Sequence, residues 1–264
     1  ITKKAIVERL KKAYQEKGWL NETGAKYPVE VAILKDNVLL TIDTSGSGLN
    51  KRGYRLAQGE APIKETLAAS LIRLANWKGD TPLIDPFCGS GTIAIEACLI
   101  AQNIAPGFNR DFVSEEWNMM PPNIYDKLRD EADQMADYDK EIEVYASDID
   151  PEMIEIARRN AEEVGLSDII QFSVKDVNTL TIDSEGPVAL VGNPPYGERI
   201  GDREEVEEMY RYIGTLMKEH PYLSTYILTS NKEFEYLVNR KATKRRKLFN
   251  GYIECTYYQY WGKK

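Results

Sequence analysis

Two kinds of hydrophobic pattern follow one another along the chain. Apolar residues at helical spacing predict a helix over residues 2–17. Two apolar runs, residues 29–34 and 38–42, enclose a short polar turn and predict a β-hairpin. A helix and hairpin of this size bury too little apolar surface to be stable alone. We therefore expect residues 1–45 to be the later part of a small α+β domain whose beginning is missing.

A different pattern begins after residues 46–60, whose glycine, serine and charged residues are typical of a linker. Over residues 61–264, apolar strands alternate with amphipathic helices, which predicts an α/β domain with a doubly wound, mostly parallel sheet. A closing hairpin around Asn250-Gly251 predicts an antiparallel edge. The predicted strands are 81–85, 142–148, 169–174, 187–192 and 223–229, and the predicted helices are 62–77, 92–101, one from Pro151, 203–219 and 232–239.

One segment is too long for an ordinary crossover between strands. Residues 102–141 separate the first two strands of the predicted sheet and contain several prolines and a charged helical run. We interpret them as an insertion that caps the domain or contacts substrate, with a purely decorative helix as the alternative.

Composition narrows the class of protein. The net charge of −8 argues weakly against a protein that coats itself with nucleic acid. No apolar run approaches the roughly 20 residues that a membrane helix needs, and three cysteines without CxxC spacing indicate reduced thiols in a cytoplasmic protein. His220 is the only histidine, so a histidine-based triad or a histidine-rich metal site is not expected.

A local basic run departs from the acidic whole. Six cations fall within eight residues, which suits either a solvated charge run or a phosphate-binding surface. They are Arg240, Lys241, Lys244, Arg245, Arg246 and Lys247.

Candidate chemistry begins at a glycine-rich turn between the first predicted strand and its helix. The turn lacks the Gly-Lys-Ser/Thr ending of a P-loop, and its dinucleotide spacing is incomplete. Asp85 at the strand end is wrong for a pyrophosphate but suits a cation such as the amino group of S-adenosylmethionine. The cofactor-binding candidates here are Asp85, Pro86, Phe87, Gly89, Gly91 and Thr92.

Two further strand ends carry acidic residues. Asp148 can bind vicinal ribose hydroxyls, with Ile149 packing on adenine, although a simple capping role is the alternative. Asp150 suits the cap of the helix that starts at Pro151. Asp176, followed by Val177, can accept a hydrogen bond from the adenine amine or be an ordinary loop aspartate. Each signal is weak alone, but their order on successive strand ends is specific.

The fourth strand end carries Asn193-Pro194-Pro195-Tyr196. The prolines fix φ and supply no N–H, so the segment forms a stiff platform of acceptors beside an aromatic ring. Such a platform suits a flat, weakly nucleophilic amine, and a proline-rich turn is the alternative. We take all four residues as catalytic candidates, and Asn193 also as a cofactor contact.

Together these motifs resemble class I S-adenosylmethionine-dependent methyltransferases that act on amino groups. More specifically, the chain resembles the THUMP-associated RNA guanine-N2 methyltransferases of the RlmL and YpsC types over nearly its whole length. In that family, residues 1–45 would be part of an RNA-binding THUMP domain. The resemblance rests on Lys51–Arg55, Glu60–Ala69, Asp85–Ala97, Asn103–Arg110 and Asn193–Arg199.

The resemblance implies methyl transfer to the N2 amine of a guanosine in RNA, with 23S rRNA as the expected substrate. S-adenosyl-L-methionine would be the cofactor and S-adenosylhomocysteine the product, with no metal and no membrane partner. The Asn193 oxygen and the Pro194 carbonyl would accept the two amine N–H bonds, while Tyr196 stacks on the target base. Alternatives are an adenine-N6 or protein glutamine-N5 methyltransferase, which share this platform, and a non-catalytic RNA-binding assembly factor. Gly197-Glu198-Arg199 and the THUMP-like start favour RNA guanine.

Overall fold

The computed structural model describes residues 1–57, 62–196 and 202–263. Its helices are α1 (Thr2–Tyr14), α2 (Glu65–Ala75), α3 (Thr92–Ala101), α4 (Ile124–Gln134), α5 (Pro151–Glu162), α6 (Asp202–Glu219) and α7 (Phe234–Leu237). Its strands are β1 (Val29–Leu34), β2 (Asn37–Ile42), β3 (Leu83–Asp85), β4 (Val144–Asp148), β5 (Ile170–Val174), β6 (Val188–Gly192), β7 (Leu223–Thr229), β8 (Lys244–Asn250) and β9 (Ile253–Tyr260).

Contacts divide the chain into two units. One unit contains residues 1–49 and 110–130, and the other contains residues 50–109 and 131–264. The middle of the long insertion therefore folds with the amino-terminal segment rather than with the strands that flank it. The THUMP assignment of residues 1–45, and the boundaries drawn from the sequence, stay predictions.

In the smaller unit, side chains of the insertion bind the backbone of the amino-terminal segment. The Arg110 guanidinium donates hydrogen bonds to three carbonyls between Ser45 and Gly48, at 2.7–3.1 Å. Trp117 donates from Nε1 to the Lys26 carbonyl at 2.7 Å, and its ring stacks on Tyr27 with centroids 4.9 Å apart. These bonds satisfy loop backbone groups that no regular element would pair.

The larger unit contains the predicted doubly wound sheet. Among the described residues, seven strands follow the order β5-β4-β3-β6-β7-β9-β8. The first five are parallel, and β9 pairs antiparallel with both β7 and β8. This confirms the mostly parallel sheet with an antiparallel edge hairpin.

Helices cover both faces of this sheet. On one face, α2, α3 and α5 bury apolar side chains that include Leu71, Ile95 and Ile154. On the other face, α6 and α7 do the same with residues such as Ile213 and Phe234. With β3 and β6 buried on both faces, their sequences are continuously apolar up to the strand ends. The polar residues that follow are therefore confined to the sheet edge.

Some boundaries differ from the predicted ones. Pro62 lies before α2 rather than in its first turn, because Lys64 is extended (φ −68°, ψ 141°) and forms the N-cap. The helix predicted over 2–17 ends at Tyr14, where Gln15 adopts a left-handed conformation. After β5 there is only a 3₁₀ turn, Val177–Thr179, before the chain reaches β6. No helix in the described part of the chain is long and apolar enough to cross a membrane.

Candidate active site

A cavity of about 310 Å³ lies where β3, β4, β5 and β6 end at the carboxyl edge of the sheet. Open α/β sheets place ligands at this edge. Most residues chosen from the sequence line the cavity, whereas Asp85, Gly91, Pro194 and Tyr196 do not. The lining includes Pro86, Phe87, Gly89, Thr92, Asp148, Ile149, Asp176, Val177, Asn193 and Pro195.

The glycine-rich turn holds its shape through left-handed backbone. Gly89 and Gly91 have φ of +50° and +82°, which residues with a Cβ rarely adopt. A Cβ on Gly91 would also lie 3.1 Å from the Ala157 Cβ of α5. The turn therefore needs glycine both for conformation and for close packing.

Asp148 joins the ends of β3 and β4. Its Oδ2 accepts a hydrogen bond from the Gly89 N–H at 2.9 Å, and its Oδ1 accepts one from the Asp150 N–H at 3.0 Å. Each carboxylate oxygen keeps a free lone pair, so the side chain can still accept bonds from ligand hydroxyls. Asp150 caps α5 by accepting from the Glu152 N–H at 2.8 Å, which is the role the sequence suggested for it.

Asp85 is fully buried beneath the turn. Its carboxyl accepts a 3.3 Å hydrogen bond from the Phe87 N–H, and Oδ2 has no partner among the described residues. The pKa of Asp85 is raised to about 8, mainly by burial and also by repulsion from Asp148, with the Phe87 hydrogen bond acting in the opposite direction. A buried acceptor without a donor costs free energy, so this position favours an incoming cationic donor.

Asp176 borders the cavity at the end of β5. Its Oδ1 accepts the Asn178 N–H at 2.9 Å and so caps the 3₁₀ turn. Because one carboxylate has about four acceptor positions, capping leaves capacity for a ligand donor. The capping and ligand-binding interpretations of this residue are therefore compatible.

The platform after β6 is held by residues that the sequence did not single out. The Tyr196 hydroxyl donates to Asn193 Oδ1 at 2.7 Å, while Asn250 Nδ2 donates to that hydroxyl at 3.1 Å. Burial raises the pKa of Tyr196 above its usual value, so the hydroxyl stays a donor. The Tyr210 hydroxyl, on α6, lies 3.3 Å from the Pro195 carbonyl and satisfies it.

Arg55, whose role the sequence did not reveal, supports the opposite wall. The buried Glu65 lies 2.9 Å from Arg55 Nε, and this guanidinium donates to Thr92 Oγ1 at 2.9 Å and to the Ile63 carbonyl at 2.8 Å. Since Thr92 and Ile63 both line the cavity, Arg55 fixes two points of its wall. The motif Lys51–Arg55 carried no spacing signal for this role.

Several cavity residues had no chemical signal in the sequence. Gly197-Glu198-Arg199, which the sequence interpretation used, lie outside the described residues. Within the described ranges, no group of three or more His, Cys, Asp or Glu side chains could hold a metal ion. The unpredicted lining residues are Pro62, Ile63, Cys88, Ser90, Ile93, Lys175 and Met209.

Comparison with protein-family models gives one match over most of the chain. Residues 52–259 match the model described as the RMKL-like methyltransferase domain. A similar protein is YpsC of Bacillus subtilis, named as a candidate RNA methyltransferase. It is 56% identical over all 264 residues, which cover 68% of its length. The ribosomal RNA large subunit methyltransferase K/L of Shewanella baltica is 37% identical over 97% of this chain, but the chain spans only 37% of that protein.

A solved structure supports the same fold. A methyltransferase candidate designated SMU.472, crystallised with S-adenosylhomocysteine, superposes with a TM-score of 0.93 at 43% identity. The match covers 100% of this chain and 69% of that one. The predicted class I methyltransferase fold is thereby confirmed.

Proposed function

This chain belongs to the RMKL-like methyltransferase domain family, and we propose that it methylates the exocyclic N2 amine of a guanosine in RNA. The cofactor is S-adenosylmethionine, and 23S rRNA is the proposed substrate. Names of relatives support an RNA substrate, since YpsC is named as an RNA methyltransferase candidate and the K/L protein as a ribosomal RNA enzyme. The observation that carries the proposal is the cavity shared by Asp148, Asp176 and Asn193.

The residues around the cavity fit this cofactor. The unpaired Oδ2 of Asp85 offers an acceptor for the ammonium group. Because Asp85 is buried beneath the glycine-rich turn, this turn must shift before the ammonium group can reach it. Asp148 offers two oxygens for ribose hydroxyls, and Asp176 offers one for the adenine amine. When bound, the cofactor supplies a methyl group already activated on sulfonium, so the protein mainly positions and desolvates the reactants.

Asn193 and Pro194 position the acceptor amine. The amine lone pair is delocalised into the base, so two acceptors that bind its N–H bonds favour a pyramidal nitrogen. The Tyr196 hydroxyl takes one lone pair of Asn193 Oδ1 and leaves the other for the substrate. Tyr210 donates to the carbonyl of Pro195, and we assign the second N–H to the carbonyl of Pro194, which lies beside the cavity lining formed by Asn193 and Pro195.

The target base must reach this platform unpaired. A base inside a helix cannot enter a cavity at a sheet edge, so it is extruded or already single-stranded. The half-buried Tyr196 ring then stacks on it, which is worth roughly 1–3 kcal/mol. The proton leaves the amine after transfer, so the site needs no histidine, and His220 follows α6 away from the cavity.

The test uses the 264-residue chain with labelled S-adenosylmethionine and unmodified rRNA, tRNA, DNA and a release factor. We expect N2-methylguanosine in RNA, identified by nucleoside mass spectrometry. Asn193→Ala should lower turnover at least about 100-fold, in the range typical of removing one hydrogen bond to the transition state, and should lower cofactor affinity far less. Tyr196→Phe, which keeps the ring but frees Asn193, should give a smaller decrease of about tenfold.

Controls separate the alternatives. Gln171→Ala changes an exposed amide side chain near the start of β5 that does not line the cavity, and it should leave turnover unchanged. Detection of N6-methyladenosine would favour the adenine-N6 alternative. Methylation of the release factor would favour the glutamine-N5 alternative. Cofactor binding without transfer to any of these substrates would support a non-catalytic assembly factor.

A further inference from the structure

The β8–β9 hairpin reaches the candidate active site from the far edge of the sheet. Because β9 is antiparallel to both of its neighbours, β8 runs in the direction of β6 and β7. Its last residue, Asn250, therefore lies at the carboxyl edge, where its Nδ2 donates to the Tyr196 hydroxyl at 3.1 Å. The turn that follows is thus tied to the residue that holds Asn193.

The tip of this hairpin presents aromatic rings to solvent. The Tyr252 side chain is fully exposed, and that of Phe249 is 54% exposed. The Tyr252 ring contributes nothing to the core and offers its faces to a nucleotide base, whereas the Phe249 ring lies under the Lys247 ammonium, 5.4 Å from the ring centroid. Tyr252 lies two residues beyond Asn250 in the turn, next to the site that receives the target base, whereas Phe249 alternates with Asn250 along β8 and projects to the other face of the strand.

The strand that leads to the tip is basic. Between residues 240 and 247 there are six cations and no acidic residue, in a chain whose net charge is −8. Arg245 and Lys247 form ion pairs with Glu235 and Glu254 at 2.6 Å. Lys244 and Arg246 form no ion pair with any residue in the described ranges, and the Nε of Arg246, although buried, has no hydrogen-bond partner there.

These two cations share a face of β8 with Asn250. Side chains alternate along a strand, so Lys244, Arg246 and Asn250 project to the same side. At about 3.4 Å per residue, Arg246 lies roughly 14 Å from Asn250 along the strand, and Lys244 roughly 20 Å. An extended nucleic acid strand whose base enters at Tyr196 could therefore place its backbone over both cations.

We infer that the β8–β9 hairpin is the surface on which the unpaired RNA strand flanking the target nucleotide lies. Tyr252 stacks on a neighbouring base, and Arg246 and Lys244 bind phosphates. The inference rests on the proposed function, because it takes RNA as the substrate. The sequence left the basic run open between a solvated charge run and a phosphate-binding surface. The inference assigns this run a partner of opposite charge, the RNA backbone.

The test measures RNA binding by fluorescence anisotropy, with a labelled single-stranded RNA of about 12 nucleotides that contains a central guanosine. Tyr252→Ala should weaken binding by at least about fivefold, because one stacking ring is removed. The double change Lys244→Gln and Arg246→Gln should flatten the slope of log affinity against log salt by about 0.7 per phosphate bound. Both should raise KM for RNA methylation more than they lower kcat.

Matched controls lie near the amino end of β7, at the end of the parallel strands opposite to the cavity. Tyr222→Ala removes an exposed ring just before β7, and Lys218→Gln removes an exposed charge from the last turn of α6. Both should bind RNA as the unchanged protein does. If the hairpin variants bind with unchanged affinity and salt slope, or if the unchanged protein does not bind this RNA, the inference is overturned. Methyl transfer to bulk RNA, measured in parallel, tests the proposed function separately.

Discussion

At the scale of single residues, the most consequential side chain is the buried carboxyl of Asp85. Burial raises its pKa to about 8, so the group is protonated at neutral pH. An ammonium group bound beside it would stabilise the carboxylate and lower that pKa. Binding of the cofactor should therefore release the proton held by Asp85.

This gives a prediction for cofactor binding. Affinity for S-adenosylmethionine should rise by up to tenfold between pH 6 and pH 7, because deprotonation of Asp85 becomes less costly. Asp85→Asn should bind more weakly and lose the pH dependence. Isothermal titration in two buffers of different ionisation enthalpy measures the released proton. The same release in the variant would assign the proton to another group.

The raised pKa also has a consequence for folding stability. The folded protein keeps this proton up to about pH 8, whereas the unfolded chain loses it near 3.8. The stabilising contribution is therefore complete below the lower pKa and is lost as pH rises through the upper one. The difference in unfolding free energy between the unchanged protein and Asp85→Asn should fall over this window.

At the scale of single residues, the sequence predicted where the site residues lie better than it predicted their hydrogen-bond partners. Asp148, Asp176 and Asn193 line one cavity because apolar runs mark where each strand ends, and parallel strands end at one edge. The bond from Asn250 to Tyr196 joins residues 54 positions apart, so no local pattern could reveal it. The roles of these side chains in binding and catalysis stay predictions.

At the scale of elements, Gly91 connects β3 to α3. It is the N-cap of α3 with φ of +82°, and a side chain there would press on Ala157 of α5. A Cβ in left-handed backbone costs about 1–2 kcal/mol, before any clash. The element therefore depends on the absence of a side chain at one position.

We predict that Gly91→Ala lowers the free energy of unfolding by about 2 kcal/mol. It should also weaken cofactor binding, because the displaced turn carries Gly89 and its bond to Asp148. Urea denaturation and a cofactor titration measure the two effects. Gly18→Ala, where a Cβ would meet nothing within 4 Å, is the control and should be close to neutral. Equal stability of both variants would contradict the strained turn.

Elements with a strong pattern were predictable, and those governed by capping were less so. The alternation of apolar strands and amphipathic helices gave α3, β7 and the start of α5 within a residue or two. The start of α2 was placed too early, because Pro62 fits a first helical turn but the chain stays extended through Lys64. Competition between a local preference and the packing of the preceding segment cannot be judged from the pattern alone.

At the scale of the whole molecule, part of the long insertion belongs to the unit that contains the amino-terminal residues. Residues 110–130 group with residues 1–49. The sequence marked the insertion by its length, but which unit it joins depends on pairings such as Trp117 with Lys26, 91 positions away. A sequence pattern contains no direct record of such pairings.

Trp117→Ala should loosen the smaller unit alone. Trp117 is 7% exposed, and the change removes both its hydrogen bond and its stacking on Tyr27, so the local cost should be about 3 kcal/mol. Hydrogen exchange followed by mass spectrometry should show faster exchange in residues 1–49 and 110–130, with the seven-stranded sheet unchanged. Trp19→Ala, at a side chain that is 96% exposed, is the control. Faster exchange throughout the sheet would contradict the division into two units.

The position of β8 also affects how copies of this protein behave towards one another. An outermost strand exposes N–H and C=O groups that a second chain can pair with, which is a common start of aggregation. Here that strand carries Lys244, Arg245, Arg246 and Lys247 in succession. Two such strands side by side would bring like charges opposite one another, which is destabilising. The charges on this strand therefore keep its open edge from joining sheets into fibres in a crowded solution.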